Sequence, residues 1–321
     1  MKRAYLFPGQ GSQAVGMLDS LASRPEVADL MAQADSALGE SLSSLIAQGP
    51  AEALGLTVNT QPAMLLAGLA CYRAWRAAGG PEADAMAGHS LGEYTALTAA
   101  GAFDPGAAFA LVRLRAQAMQ EAVPVGTGGM AAILGLTDDQ VRQACDTAQK
   151  ALADQPRAHE SVAEVVEPAN FNAPAQVVIA GSKAGVERAC EAAKALGAKR
   201  ALPLPVSAPF HSSLLRPAGD RLAKALASTP PASPRVPVIN NVDVAVCTQT
   251  AEIVDALVRQ SFSPVRWVEL VLKLQAMGID HVIEFGPGKV LGGLVKRIAP
   301  EMKISYVFDA ASLDAALGEL A

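Results

Sequence analysis

The sequence predicts a mixed α/β protein of two unequal parts: a large part built on a mostly parallel sheet, and a smaller subdomain inserted into it. The 321-residue chain is longer than a usual single domain. Over most of its length, short apolar segments with the character of strands alternate with longer segments of helical periodicity. A stretch dense in Gly and Pro at residues 123–129 interrupts that pattern. We therefore expect the large part to comprise residues 1–125 and 205–321, and the inserted subdomain to comprise residues 126–204.

The predicted large part opens with an apolar strand at residues 4–7, which a Gly- and Gln-rich turn at residues 8–13 follows. Further strands are predicted at residues 85–87, 236–239 and 281–285, and helices at residues 25–38, 61–78 and 105–123. Strands that alternate with helices usually lie parallel to one another, because each helix carries the chain back across the sheet. We therefore expect these strands to share one mostly parallel sheet.

The inserted subdomain follows the element order βαββαβ. Its strands are predicted at residues 130–134, 162–166, 176–180 and 199–204, and its helices at residues 137–152 and 182–196. This order is the ferredoxin-like plan. The polar residues 153–161 indicate a surface loop between the first helix and the second strand.

Composition excludes several classes of protein. With 51% hydrophobic residues, 18% charged residues and a formal net charge of −5, the chain can bury a core and offers no general attraction for nucleic acid. Charges, Gly and Pro break every apolar run before the ~18 residues that a membrane span needs, so a soluble, cytoplasmic protein is expected. No spacing of His or Cys fits a metal site, and no nucleotide-binding signature surrounds the Gly-Pro-Gly at residues 286–288, so no cofactor is expected. The single cysteines are expected to be reduced thiols: Cys71, Cys145, Cys190 and Cys247.

A nucleophile is predicted at Ser90. Residues 88–92, Gly-His-Ser-Leu-Gly, match the pattern Gly-x-Ser-x-Gly between a predicted strand and a helix. In an α/β-hydrolase-like core such a turn exposes the serine hydroxyl at a helix N-terminus, where backbone N–H groups can stabilise an oxyanion. The alternative interpretation is a glycine-rich turn that contains a serine by chance.

A serine hydroxyl needs a neighbouring base, most often a histidine. Among the four histidines, His89 is expected to point away from Ser90 and to pack, His159 lies in the predicted polar loop, and His281 begins a predicted strand. The remaining histidine, His211, follows a predicted strand and precedes a helix, and is therefore the predicted base. The group that orients its ring is either a backbone carbonyl or one of three carboxylates, Asp220, Asp243 and Glu284.

Five segments in order resemble the malonyl-CoA:acyl-carrier-protein transacylases of fatty-acid synthesis, which are related to the acyltransferase domains of polyketide synthases. The likeness covers essentially the whole chain and is carried by residues 7–13, 88–94, 170–172, 209–212 and 286–291. It implies a serine–histidine dyad, in which Ser90 is acylated and His211 is the base.

The resemblance also implies roles for six further residues. Arg115, rather than Arg113, would hold the free carboxylate of malonate, with Gln61 in the same pocket. The backbone N–H groups of Gln10 and Leu91 would form the oxyanion hole. The main-chain carbonyl of Gln260 would orient His211, which would explain why no carboxylate stands out, and Phe210 would crowd a methyl-branched acyl group.

The implied reaction moves a malonyl group from CoA to the phosphopantetheine thiol of acyl carrier protein through a malonyl-serine intermediate, in a ping-pong sequence and with no cofactor. The implied partners are malonyl-CoA and the carrier protein, with the enzyme expected to be a monomer. Three alternatives stay open: the malonyl transferase subunit of a malonate decarboxylase, a serine esterase or thioesterase, and a catalytically silent binding subunit. Because carrier proteins are acidic, candidates for a basic docking surface are Lys183, Arg188, Lys194, Lys199, Arg200, Lys289, Lys296 and Arg297.

Overall fold

A computed structural model describes residues 2–153, 163–206 and 208–320. Five short strands pair side by side, all parallel: β1 (Lys2–Phe7), β2 (Ala85–Gly88), β7 (Val238–Ile239), β8 (Ile279–Phe285) and β9 (Lys303–Val307). Their order across the sheet is β7-β2-β1-β8-β9. Residues 4–7 of the central strand are buried on both faces, as expected for a parallel sheet that helices cover. The predicted mostly parallel sheet is confirmed.

A separate antiparallel sheet consists of β3 (Gly128–Leu134), β4 (Val166–Ala173), β5 (Gln176–Ser182) and β6 (Arg200–Pro203). Their order across the sheet is β4-β5-β3-β6. Together with two helices on one side they follow the predicted βαββαβ order. The mixed α/β fold with a second, smaller sheet is therefore confirmed. The boundaries proposed at residues 125/126 and 204/205 remain predictions.

The predicted strand at residues 162–166 is wrong. The strand begins only at Val166 and continues to Ala173, through polar residues and Pro168. Its register shifts between Pro168 and Asn170 and again between Phe171 and Ala173. Such irregular pairing is tolerated because β4 is an edge strand. Pro168 has no backbone N–H, but an edge strand pairs with a neighbour on one side only, so no hydrogen bond between inner strands is lost. Val162 lies outside the described residues, as does the predicted loop up to Ser161, with His159, apart from Ala153.

The described helices, in chain order, are α1 (Pro25–Leu38), α2 (Leu42–Gln48), α3 (Ala51–Leu54), α4 (Thr57–Ala77), α5 (Leu91–Ala99), α6 (Pro105–Glu121), α7 (Asp138–Ala153), α8 (Lys183–Ala195), α9 (Arg216–Ser228), α10 (Thr250–Gln260), α11 (Trp267–Ala276), α12 (Val290–Ile298) and α13 (Ala310–Gly318). A main core around α4 and a second core around α11 cover the two faces of the parallel sheet. Across the described stretches of chain, no helix has both the length and the apolar character to span a bilayer.

In the large part, one helix and two strands differ from the secondary structure predicted from the sequence. Helix α4 begins at Thr57, four residues before the predicted start, because Pro62 lies inside the helix and does not begin it. Strand β7 contains only Val238 and Ile239 of the four residues predicted for it. Strand β9 was not predicted, although its sequence Lys-Ile-Ser-Tyr-Val has the alternation of polar and apolar residues that is typical of an edge strand.

Candidate active site

Ser90 lies at the turn between β2 and α5, at the carboxyl edge of the parallel sheet. Its backbone has φ 53° and ψ −111°, a conformation that residues other than glycine rarely adopt. The turn is tight enough that a Cβ on Gly92 would lie 1.9 Å from the carbonyl oxygen of Phe7, and a Cβ on Gly88 1.9 Å from the backbone of Gly92. The two flanking glycines of the motif are therefore required by close backbone approach.

The imidazole of His211 contacts the Ser90 hydroxyl. Its Nε2 lies 2.7 Å from Ser90 Oγ, and its Nδ1 lies 2.8 Å from the main-chain oxygen of Gln260. Because a carbonyl oxygen can only accept a hydrogen bond, Nδ1 carries the proton and Nε2 is left to accept from the hydroxyl. The ring is thus oriented by a backbone carbonyl, and the arrangement is suited to remove the hydroxyl proton.

The three carboxylates considered as orienting groups have other surroundings. Asp243 pairs with Arg259, and Glu284 accepts from the backbone N–H groups of Leu291 and Gly292. Asp220 lies on the exposed face of α9. The position of a triad acid is therefore taken by the carbonyl of Gln260.

His211 is buried beside a cation, and both conditions disfavour its charged form. Burial, followed by the positive charge of Arg115, lowers the pKa of His211 to about 3. The imidazole is therefore neutral at physiological pH and available to accept a proton.

Arg115 is only 1% exposed, and it lines the same cavity as Ser90. Its Nη1 donates to Gln61 Oε1 at 2.7 Å, and its Nη2 donates to Gln260 Oε1 at 2.9 Å and to Ser90 Oγ at 3.2 Å. Among the described residues, its Nε has no hydrogen-bond partner, and this arginine belongs to none of the ion pairs. A buried guanidinium with a donor to spare is well suited to receive an anionic group of a ligand.

A cavity of about 260 Å³ joins these side chains. Except for Gln260, its lining includes all the residues predicted to act in catalysis or in binding the acyl group: Ser90, His211, Gln10, Leu91, Arg115, Gln61 and Phe210. Gln260 lies directly behind the cavity and reaches it through the hydrogen bonds given above. The walls also come from the antiparallel sheet, through Met130, Asn170 and Val178.

The other candidates lie apart from the Ser90 hydroxyl or have other partners. His89 packs against Trp267 and hydrogen-bonds through Nε2 to Asn172 Oδ1 at 2.8 Å. His281 is fully buried in β8, with Nε2 2.7 Å from Ser305 Oγ. Arg113 pairs with Glu40 near the surface. None of these three is in a position to act as the base or to bind an anion beside Ser90.

Comparisons with known proteins agree with this geometry. Residues 4–301 match the acyl transferase domain family. The malonyl CoA-acyl carrier protein transacylase of Salmonella typhimurium is 51% identical over 315 residues, 98% of each chain. The crystal structure of acyl-carrier-protein S-malonyltransferase from Burkholderia pseudomallei is 59% identical, with a TM-score of 0.94 over 99% of this chain and 100% of that one. A structure of a malonyl-transacylase in complex with a type II PKS acyl-carrier protein is 47% identical, with a TM-score of 0.94 over 99% and 100%.

The chain belongs to the malonyl CoA-acyl carrier protein transacylase family. Such identity over nearly the full length of both chains confirms the resemblance inferred from the five sequence segments, and it establishes an acyltransferase.

Two buried residues of this transacylase were not assigned a role from the sequence. Asn241 follows β7 and accepts from the Ser90 N–H through Oδ1 at 2.7 Å, while its Nδ2 donates to the carbonyl of Gly88 at 2.7 Å. Glu93, in the first turn of α5, accepts from the backbone N–H of Asn241 and from the Gln260 carboxamide. Asn241 could have been found from its position after a predicted strand, at the edge where Ser90 lies. Glu93 stands within the nucleophile motif, but no local signal distinguishes it from a first-turn acid.

Proposed function

We propose that this protein transfers a malonyl group from CoA to the phosphopantetheine thiol of an acyl carrier protein, through a malonyl ester on Ser90. The observation that carries the proposal is the position of the Ser90 hydroxyl, 2.7 Å from the imidazole of His211 and 3.2 Å from the guanidinium of Arg115. A nucleophile, its base and a carboxylate-binding cation thus share one small cavity. The names of its relatives support the same substrate and carrier.

The first half-reaction loads the serine. Nε2 of His211 takes the hydroxyl proton as Ser90 Oγ attacks the thioester carbon of malonyl-CoA. The backbone N–H groups of Gln10 and Leu91, both at the cavity wall, stabilise the oxyanion. The C–S bond then breaks, and the CoA sulfur leaves with the proton held by His211. The product is a malonyl ester of Ser90.

The second half-reaction unloads the ester onto the carrier. His211 takes the proton of the phosphopantetheine thiol, and the sulfur attacks the ester carbon. The C–O bond to Ser90 breaks, and the serine oxygen recovers its proton from His211. Both halves exchange one ester or thioester for another of similar energy, so the scheme needs neither a cofactor nor a metal.

Arg115 gives the reaction its preference for a dicarboxylic acyl group. A guanidinium holds a carboxylate through two hydrogen bonds, and burial strengthens both. Gln61 keeps the other end of the guanidinium in place. The ring of Phe210 forms part of the same wall and limits the room for a methyl branch at the malonyl carbon. We assign the enzyme to the cytoplasm as a monomer, with malonyl-CoA and acyl carrier protein as its partners.

Intact-protein mass spectrometry after exposure to malonyl-CoA tests the proposal. The wild-type protein should gain one malonyl group on the peptide that contains Ser90, and holo acyl carrier protein should remove it. Ser90→Ala should gain nothing. Ser12→Ala removes a second hydroxyl from the same cavity, one with no hydrogen-bond partner among the residues that the structure describes, and should still form the ester. Loss of the malonyl group to water at the same rate with and without carrier protein would identify a hydrolase instead.

A further inference from the structure

We infer that Glu93 is a positioning residue for malonyl selectivity: by accepting from the carboxamide of Gln260, it keeps the amide oxygen directed at Arg115. The inference deepens the proposed function and rests on it. Glu93 is 2% exposed and Gln260 is fully buried, so their mutual orientation is set by protein contacts rather than by water.

The direction of the Gln260 amide follows from what its neighbours can accept or donate. Its Nε2 lies 2.9 Å from Glu93 Oε2 and 2.9 Å from the main-chain oxygen of Ser90, both acceptors. Its Oε1 lies 2.9 Å from Nη2 of Arg115, which can only donate. The two amide hydrogens and the amide oxygen are each matched to a group of the required kind. A flipped amide would set NH₂ against the guanidinium and oxygen against two acceptors.

Gln260 connects this orientation to the reacting groups. Its side-chain oxygen fixes one end of Arg115, and its main-chain oxygen fixes the ring of His211. Only the side chain depends on Glu93. Loss of the Glu93 acceptor therefore frees the amide and, through it, the guanidinium, whereas the pairing of His211 with Ser90 does not pass through this contact.

Glu93 is itself held in place by a second hydrogen bond. The backbone N–H of Asn241 donates to the same oxygen, Oε2, at 2.9 Å. The side chain of Asn241 binds both sides of the nucleophile turn, at Ser90 N and Gly88 O. The carboxyl group thus links the nucleophile turn to the amide of Gln260, and an acceptor at this point orients Arg115 relative to Ser90 Oγ.

The test compares two acylations of Ser90 that differ in whether the acyl group carries a carboxylate for Arg115 to bind. Malonyl-CoA presents such a carboxylate, whereas p-nitrophenyl acetate acylates the same Ser90 with a neutral acetyl group. Glu93→Leu removes the acceptor, and we expect kcat/KM for malonyl loading to fall roughly 10-fold or more relative to acylation by the neutral ester. Glu93→Gln keeps an oxygen that can accept from the same two N–H groups. Its ratio of malonyl loading to acylation by the neutral ester should therefore stay close to that of the wild-type protein.

Three further variants separate positioning from general damage. Glu284→Leu removes another buried glutamate that accepts two backbone N–H groups, and it should leave the ratio of the two acylations unchanged. Gln260→Met keeps the carbonyl that orients His211 but removes the amide, so it should reproduce the Glu93→Leu ratio even if Glu93→Leu fails to fold. In an Arg115→Met background, Glu93→Leu should cause no further loss of malonyl loading.

An unchanged ratio in both Glu93→Leu and Gln260→Met would overturn the inference, and so would an equal loss from Glu93→Leu with and without Arg115. Failure of the wild-type protein to form a malonyl ester would instead overturn the proposed function. The two failures are therefore distinguishable in one set of measurements.

Discussion

The guanidinium of Arg115 and the hydroxyl of Ser90 are in direct contact, with Nη2 3.2 Å from Oγ. A ligand carboxylate bound to Arg115 therefore lies within a few bonds of the carbon that Ser90 attacks. Malonate satisfies this condition, because one methylene separates its carboxylate from the thioester carbonyl. We therefore expect the short distance to select for the length of the acyl group as well as for its charge.

Replacement of Arg115 should change which acyl group is loaded rather than abolish the nucleophile. In Arg115→Met we expect kcat/KM for malonyl loading to fall about 100-fold or more, which corresponds to about 3 kcal/mol for loss of charged hydrogen bonds. Acylation by p-nitrophenyl acetate should change only a few-fold. Arg113→Met is the matched control, since Arg113 lies on the same helix and pairs with Glu40. An equal loss in both variants would contradict the assignment of Arg115.

The low pKa of His211 predicts a flat pH profile for acylation by a neutral ester. Because burial and Arg115 lower this pKa to about 3, the imidazole is in its basic form across the neutral range. The wild-type rate should show no inflection near pH 6.5. Arg115→Met removes the neighbouring cation and should raise the pKa of His211, so its rate should decline on the acid side before the wild-type rate does. A wild-type inflection near 6.5 that His211 accounts for would contradict this electrostatic picture.

The glycines of the nucleophile turn should be far less replaceable than a helical glycine elsewhere. Gly92→Ala places a methyl group 1.9 Å from the carbonyl of Phe7, which forces β1 and the turn apart. We expect a loss of about 3 kcal/mol or more in the free energy of unfolding, measured with urea, together with loss of Ser90 acylation. Gly293→Ala is the control, because no described residue outside the backbone of α12 itself lies within 4 Å of its added Cβ. That variant should be neutral or gain up to about 1 kcal/mol of stability.

The sequence predicted the residues whose roles show in a local pattern. Gly-x-Ser-x-Gly after a strand indicates Ser90, and elimination among four histidines leaves His211. The resemblance supplied Arg115 and Gln260, which no pattern in their own segments singles out. Neither the local patterns nor the resemblance gave a role to Glu93 or Asn241, because their hydrogen bonds join residues 148 to 167 positions apart in the chain. Such contacts arise only when the tertiary fold brings the first turn of α5, the chain after β7 and the end of α10 together.

The errors in secondary structure have a similar origin. Residues 166–173 contain Pro168 and two asparagines, which favour a turn when read locally, yet they pair with β5 as an irregular edge strand. Tertiary pairing outweighs local preference at that edge. The same strand brings Asn170 to the wall of the cavity, so the segment least like a strand contributes directly to the candidate site.

His281, away from the site, should make the protein less stable in acid. Burial, and then the nearby charge of Lys303, lowers its pKa from 6.5 to about 4, and its Nδ1 has no hydrogen-bond partner in the part of the chain that the structure describes. Below pH 6.5 the unfolded chain takes up a proton that the folded chain does not, so the stability present above pH 6.5 is lost as the pH falls toward 4. Between about pH 7.5 and about pH 5 this residue alone should cost about 2 kcal/mol.

His281→Asn removes the titrating group and keeps an amide that can hydrogen-bond to Ser305. Urea unfolding at the two pH values gives the change in unfolding free energy for each protein separately, so any loss of packing in the variant cancels. Between the two pH values, the free energy of unfolding should fall by about 2 kcal/mol less in the variant than in the wild-type protein. His89 and His211, whose pKa values are also lowered, contribute equally to the change in both proteins. The same acid drop in wild type and variant would show that His281 takes up its proton in the folded state, in spite of its burial.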